Sequence, residues 1–119
     1  MILADTSVWI AHFRAPDVRL MARLEAEDLL GHPFVIGELA MGNLGQRSAT
    51  LQFLDELPKA VVASHAEVMG LVEGHRLNGL GMGYIDAHLL ASTRLMPGVR
   101  LWTLDQRLGA VAARLGVQA

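Results

Sequence analysis

The chain has 119 residues, a formal net charge of −2, 52% hydrophobic and 18% charged residues, and no cysteine. That length suits one compact domain, and the apolar share is too high for a disordered chain. A disulfide framework and thiolate metal sites are excluded, and no apolar run reaches the ~20 residues that span a bilayer.

Residues 1–4 are a short apolar run ended by Asp5, which reads as a buried strand. Asp5, Thr6 and Ser7 are all N-cap types, and Val8, Trp9, Ile10 and Phe13 follow as a short helix. Asp17 caps a second helix carrying Val18, Met21, Ala22 and Leu24 at helical spacing. Residues 29–32 form a second strand. Pro33 opens a helix that runs from Phe34 to Met41 and stops at Gly42. Residues 48–57 are a further helix, ended by Pro58.

The β-branched run 60–63 reads as a strand, and Ser64 with Glu67 gives the next helix a capping box above an apolar stripe of Val68, Leu71 and Val72. Residues 78–83 hold three glycines and make a turn. Then come a helix over Tyr84–Leu95, a strand over 99–102 and a helix over 105–115 ended by Gly116, with Val117 starting a last short strand. Strands alternating with helices predict an α/β fold. A parallel sheet is wrapped by helices through right-handed crossovers, in one domain over 1–119.

In an open parallel sheet, ligands bind at the carboxyl ends of the strands. Asp5 follows the first strand and Asp105 the strand at 99–102; Glu38 lies on the helix after the second strand, and Asp86 one turn into the helix after the glycine turn. Glu38 and Asp86 are embedded in apolar segments, where an unpaired charge is costly. Converging carboxylates also repel. A divalent cation removes both problems, and oxygen ligands suit Mg²⁺ or Mn²⁺. Taken singly, each acid has an ordinary reading: Asp5 and Asp105 as N-caps, Glu38 on a solvated stripe, Asp86 as a first-turn acid.

The five histidines, His12, His32, His65, His75 and His88, show no zinc spacing, and His88 points away from Asp86 on the same helix, as a surface or packing residue. Trp9, Phe13, Phe34 and Phe53 read as core rather than as base-stacking platforms. Ile10, Phe13 and 53–57 serve equally well as a partner-facing surface. Nine of the ten cations are Arg, the better residue for phosphate. With four acids assigned to metal, the rest of the chain sums to +2, so the charge neither supports nor excludes RNA.

Four segments together resemble the PIN-domain family, and within it the VapC toxins of bacterial toxin–antitoxin pairs. They are Ile2-Leu3-Ala4-Asp5-Thr6-Ser7-Val8-Trp9-Ile10, Phe34-Val35-Ile36-Gly37-Glu38-Leu39, Tyr84-Ile85-Asp86-Ala87-His88-Leu89-Leu90-Ala91 and Leu101-Trp102-Thr103-Leu104-Asp105. The resemblance implies a three-layer α/β/α fold with a central parallel sheet of four or five strands. It implies an Mg²⁺- or Mn²⁺-dependent endoribonuclease whose acidic quartet is Asp5, Glu38, Asp86 and Asp105, oriented by Thr6 and Thr103. Arg14, Arg94 and Arg107 are candidate contacts to RNA phosphates. A homodimer, inhibition by a VapB-like antitoxin and a cytoplasmic, membrane-free setting complete the expectation. A PIN-like module that binds RNA or protein with little catalysis is the alternative. A phosphate receiver domain fits poorly, because Thr6 follows Asp5 and the only Lys is Lys59.

Overall fold

The computed structural model describes residues 1–119. It contains three strands, β1 (Ile2–Ala4), β2 (Leu29–Leu30) and β3 (Arg100–Trp102). Seven helices accompany them: α1 (Thr6–Arg14), α2 (Val18–Glu25), α3 (Pro33–Ala40), α4 (Arg47–Glu56), α5 (His65–His75), α6 (Tyr84–Leu95) and α7 (Gln106–Arg114). The sheet order is β2-β1-β3 and both pairings are parallel, with Leu3 opposite Leu30 on one side and Leu101 on the other. All three residues of β1 are buried, which explains its unbroken apolar run. Leu3, Trp9, Leu20, Leu29, Leu54, Leu89, Leu90, Leu101 and Leu108 are the large side chains of one continuous core. Truncating any of these leucines to Ala costs roughly 2–5 kcal/mol. A second, smaller cluster of Ala63, Val68, Ala87 and Ala91 lies beside it, with Val68 on α5 and the last two alanines on α6.

The sheet has three strands where four or five were expected. The outer two candidates make only single parallel bridges, Gly31 with Lys59 and Leu101 with Gln118. Gly31 donates to the Pro58 carbonyl at 2.7 Å and accepts from Ala60 at 2.8 Å; Leu101 donates to Val117 at 2.7 Å and accepts from Ala119 at 2.9 Å. The run at 60–63 is therefore no strand. Val61 and Val62 are 51% and 45% exposed, and the Val61 amide turns to the Met96 sulfur. The backbone leaves the sheet so that Ala63 can pack under α5 and α6.

Other boundaries move for local reasons. The second strand stops before His32, whose Nδ1 accepts the Phe34 amide proton at 3.1 Å and so caps α3. Helix α4 begins at Arg47 after Gln46 in the left-handed region (φ 47). Trp9 is core as expected and Phe34 is half-buried. Phe13 and Phe53, read either as core or as a partner-facing surface, are not core: they are 40% and 42% exposed and ring the buried Trp9 at 5.8 and 6.3 Å between centroids.

After β1 the chain moves to β2 on one side and returns for β3 on the other. Right-handed crossovers then send the two connections over opposite faces, giving the α/β/α layering. The direction of winding reverses between β1 and β3, and the cleft at their carboxyl ends is where such a sheet offers a ligand site.

Candidate active site

Asp5 occupies that point. Its amide donates to the Trp102 carbonyl at 3.0 Å, which continues the β1–β3 ladder by one residue and fixes the backbone. Its carboxylate is buried and fully engaged. Oδ1 accepts from the Ser7 hydroxyl at 2.5 Å and from the Val8 amide at 3.2 Å, capping α1. Oδ2 accepts from the Thr103 hydroxyl. The Thr103 oxygen in turn accepts the Asp105 amide at 3.0 Å, and Ser7 Oγ accepts the Leu104 amide at 3.0 Å. The loop after β3 is thereby tied to the loop after β1 by two hydroxyls. Thr103 was expected here; Ser7 was read only as a capping type. Its place beside Asp5 was the available sign.

The other three acids stand around this pair. Glu38, on the exposed side of α3, accepts from the Thr6 hydroxyl at 2.7 Å, again as expected for Thr6. Asp86, half-buried in the first turn of α6, accepts the Gly83 amide at 3.2 Å. Asp105 caps α7 by accepting the Leu108 amide at 3.0 Å. The capping readings of Asp5 and Asp105 are thus correct as geometry. They do not exhaust the residues, because Glu38, Asp86 and Asp105 each keep one carboxylate oxygen with no protein donor.

Burial pushes the Asp86 carboxyl above its ordinary value, the Gly83 amide opposes this, and the charges of Asp105, Asp5 and Glu38 push it further up. All four acids therefore share one electrostatic neighbourhood. As they stand, no three side chains of His, Asp or Glu approach one point closely enough to ligate a single ion. Carboxylate oxygens with no protein donor are the donors that a hard divalent cation takes. The residues fit Mg²⁺ or Mn²⁺ in donor type.

The three arginines fall in different places. Arg14 lines a groove of about 310 Å³ with Ile10, Phe13, Glu38 and Leu44, beside the acids. Arg107 lies across the glycine turn and donates to the carbonyl of Gly81 at 3.4 Å, where a φ of 82 favours glycine. Arg94 is in the last turn of α6 and lines a cavity with Pro97 and Arg100, at the amino end of β3 and away from the acids. His88 is a packing residue, as one of its two expected readings had it. It is buried, held edge-on between Phe34 and Tyr84 at 4.6 and 4.7 Å, and its Nδ1 has no partner. Tyr84, which the sequence reading passed over, stands exposed in the same turn as Asp86.

Known proteins place this geometry in a family. No family model matches the chain. It is 50% identical over 117 residues to Ribonuclease VapC32 from two strains of Mycobacterium tuberculosis, covering 98% of this chain and 94% of that protein. It is also 33% identical over 99 residues to a hydroxyethylthiazole kinase from Serratia proteamaculans, of which it spans only 35%, too little to carry a family. The near full-length match agrees with the order of the four acid-bearing segments and with the α/β/α fold: the chain belongs to the VapC-type PIN-domain family.

Proposed function

We propose that the protein is a VapC-type toxin that cleaves RNA internally, a metal-dependent endoribonuclease acting through Asp5, Glu38, Asp86 and Asp105. The observation that supports this reading is that Asp86, whose carboxyl burial raises, also feels the charges of Asp105, Asp5 and Glu38, with Asp5 at the β1–β3 switch point. The similarity to a ribonuclease over nearly the whole chain supports it.

Bound Mg²⁺ or Mn²⁺ supplies positive charge to the scissile phosphate and acidity to a water molecule. Asp5, Glu38 and Asp86 would hold the ion, the last two through the oxygens that no protein donor occupies. Asp5 is the fixed member, locked by Ser7, Val8 and Thr103, and sets the position against which the others close. Thr6 keeps the Glu38 carboxylate turned toward the cleft. Asp105 would bind the ion directly or through water, or orient the attacking water. Arg14 and Arg107 flank the acids and meet RNA phosphates; Arg94 does so only for RNA that extends well beyond the cleft.

The same reading includes one domain over 1–119, a homodimer, cytoplasmic action and inhibition by a VapB-like antitoxin. The groove of Ile10, Phe13 and Leu44, with Arg14 and Glu38 on its wall, is the surface beside the acids where an antitoxin segment would fit. No helix is long and apolar enough to cross a membrane. The test is cleavage of a single-stranded RNA pool with Mn²⁺, with chelator, and by the Asp5→Asn protein. Cleavage is expected in the first case only. RNA that is bound but uncut in Mn²⁺ would leave a binding module, and equal cutting by Asp5→Asn would refute the assignment.

A further inference from the structure

Tyr84, in the first turn of α6 two residues before Asp86, is an exposed aromatic side chain, at 47% exposure. An exposed tyrosine is normally free to rotate, but this ring is held on two sides. His88, one turn along α6, meets it edge-on at 4.7 Å and 86°. His88 is itself buried and braced by Phe34 of α3 at 4.6 Å and 80°. The Tyr84 hydroxyl lies 2.7 Å from Nδ1 of His65, at the start of α5. Three helices therefore fix the orientation of a ring that remains nearly half open to solvent. Fixing an exposed ring costs rotamer entropy, and a planar ligand recovers that cost by meeting a surface already in place.

The setting selects the ligand. Tyr84 and Asp86 both leave the first turn of α6, two residues apart, and so project from different sides of the helix. A helix with its side chains is about 10–12 Å across, so the ring is set to the side of the carboxylates rather than among them. The glycine turn that leads into Tyr84 carries Arg107, which has no carboxylate partner in the fold. A flat aromatic surface, a guanidinium without a carboxylate partner and the proposed phosphate-cleaving acids, all around the start of α6, match unpaired nucleic acid, whose bases stack on aromatic rings and whose phosphates seek Arg.

We propose that Tyr84 is a stacking platform for one unpaired base of the RNA, on a nucleotide set off from the cleaved phosphate by the width of α6. The proposal rests on the ribonuclease reading above. Stacking is tolerant of base identity, so Tyr84 sets the requirement for single-stranded RNA and its register rather than a letter of sequence.

The test combines Tyr84→Leu, Tyr84→Phe and Tyr84→Trp with a short RNA in which each base in turn is removed, leaving the backbone. In the wild type, one abasic position is expected to raise KM by about 5- to 150-fold, the range that loss of one stacked base gives. Tyr84→Leu is expected to raise KM on intact RNA by a similar factor, to keep kcat, and to lose all sensitivity at that abasic position. Tyr84→Phe and Tyr84→Trp keep the ring and are expected to keep KM near the wild type. A Tyr84→Leu protein with unchanged KM overturns the proposal. So does one with reduced kcat at unchanged KM, which would make the residue a support for Asp86. Failure of the wild type to cut any RNA in Mn²⁺ overturns the ribonuclease reading itself, whereas cutting that ignores Tyr84 overturns only the platform.

Discussion

The hydroxyl of Thr103 donates to Oδ2 of Asp5, joining residues 98 positions apart in the chain. The same oxygen accepts the Asp105 amide at 3.0 Å, so one hydroxyl sets a carboxylate and the start of α7 together. Thr103→Val keeps the shape and removes the donor, and hydrogen bonds to charged groups contribute about 1.5–3 kcal/mol. Steady-state cleavage by Thr103→Val is expected to show kcat about 10- to 100-fold below the wild type, with Thr103→Ser close to it. A Val variant of normal rate would remove Thr103 from the site.

Thr6 serves Glu38 in the same way at 2.7 Å, but at an exposed position where stability is little affected. Partners of this kind typically change metal affinity by about 10- to 100-fold. Titration calorimetry with Mn²⁺ is expected to show Thr6→Val binding roughly 10-fold more weakly, with an unchanged melting temperature. Equal affinity would mean that Glu38 orients itself on the ion.

Asp86 gives a stability test that needs no RNA. Its carboxyl is raised, first by burial and then by three like charges, so the folded chain holds that proton more tightly than the unfolded chain does. Ionising the group therefore costs stability as pH rises through the carboxylate range, and at pH 7 the full cost is present. In chelator at pH 7, Asp86→Asn is expected to melt above the wild type. With Mn²⁺ at 100 times its Kd the wild type gains about 2.7 kcal/mol, and the order is expected to reverse. If the wild type melts higher in both conditions, the acids do not repel one another as placed.

His32 predicts the acid limit. It is fully buried, its Nδ1 accepts the Phe34 amide proton, and its Nε2 proton faces Ser92 Oγ at 3.0 Å. Burial, and then the charge of His88, push it down to about 4 from 6.5. The unfolded chain takes up a proton below about pH 6.5 that the folded chain refuses until about pH 4. Stability is therefore intact above that range and lost as pH falls through it, by up to roughly 3 kcal/mol. His32→Asn keeps a capping side chain and removes the titration. Urea midpoints measured from pH 7 to 4 are expected to fall less steeply for His32→Asn; parallel curves would place the acid sensitivity elsewhere.

Much of this was legible in the sequence because local rules and the fold agree. Asp5, Asp17, Ser64 and Asp105 all cap the helices expected of them, and Ser64 with Glu67 forms its capping box. Asp5 and Asp105 follow the strands β1 and β3 and Asp86 lies in the first turn of α6, so spacing alone marks them, whereas Glu38 sits late in α3 and is tied to Asp5's loop only by the Thr6 hydroxyl. The strand at 60–63 was misread because β-branched residues announce a half-buried surface, and here the burial comes from Ala60 and Ala63 instead. Tyr84 was invisible for a different reason. Its meaning lies in His88, Phe34 and His65, which no spacing within α6 reveals.

The central place of β1 has a consequence for the order in which the molecule becomes itself. Its first neighbour arrives within thirty residues, but its second waits for position 100. Throughout that interval the growing chain can fold β1 against β2 while Asp5 lacks both Thr103 and Asp105. A site assembled this way is completed by the late-made loop after β3, not by the strands that pair first.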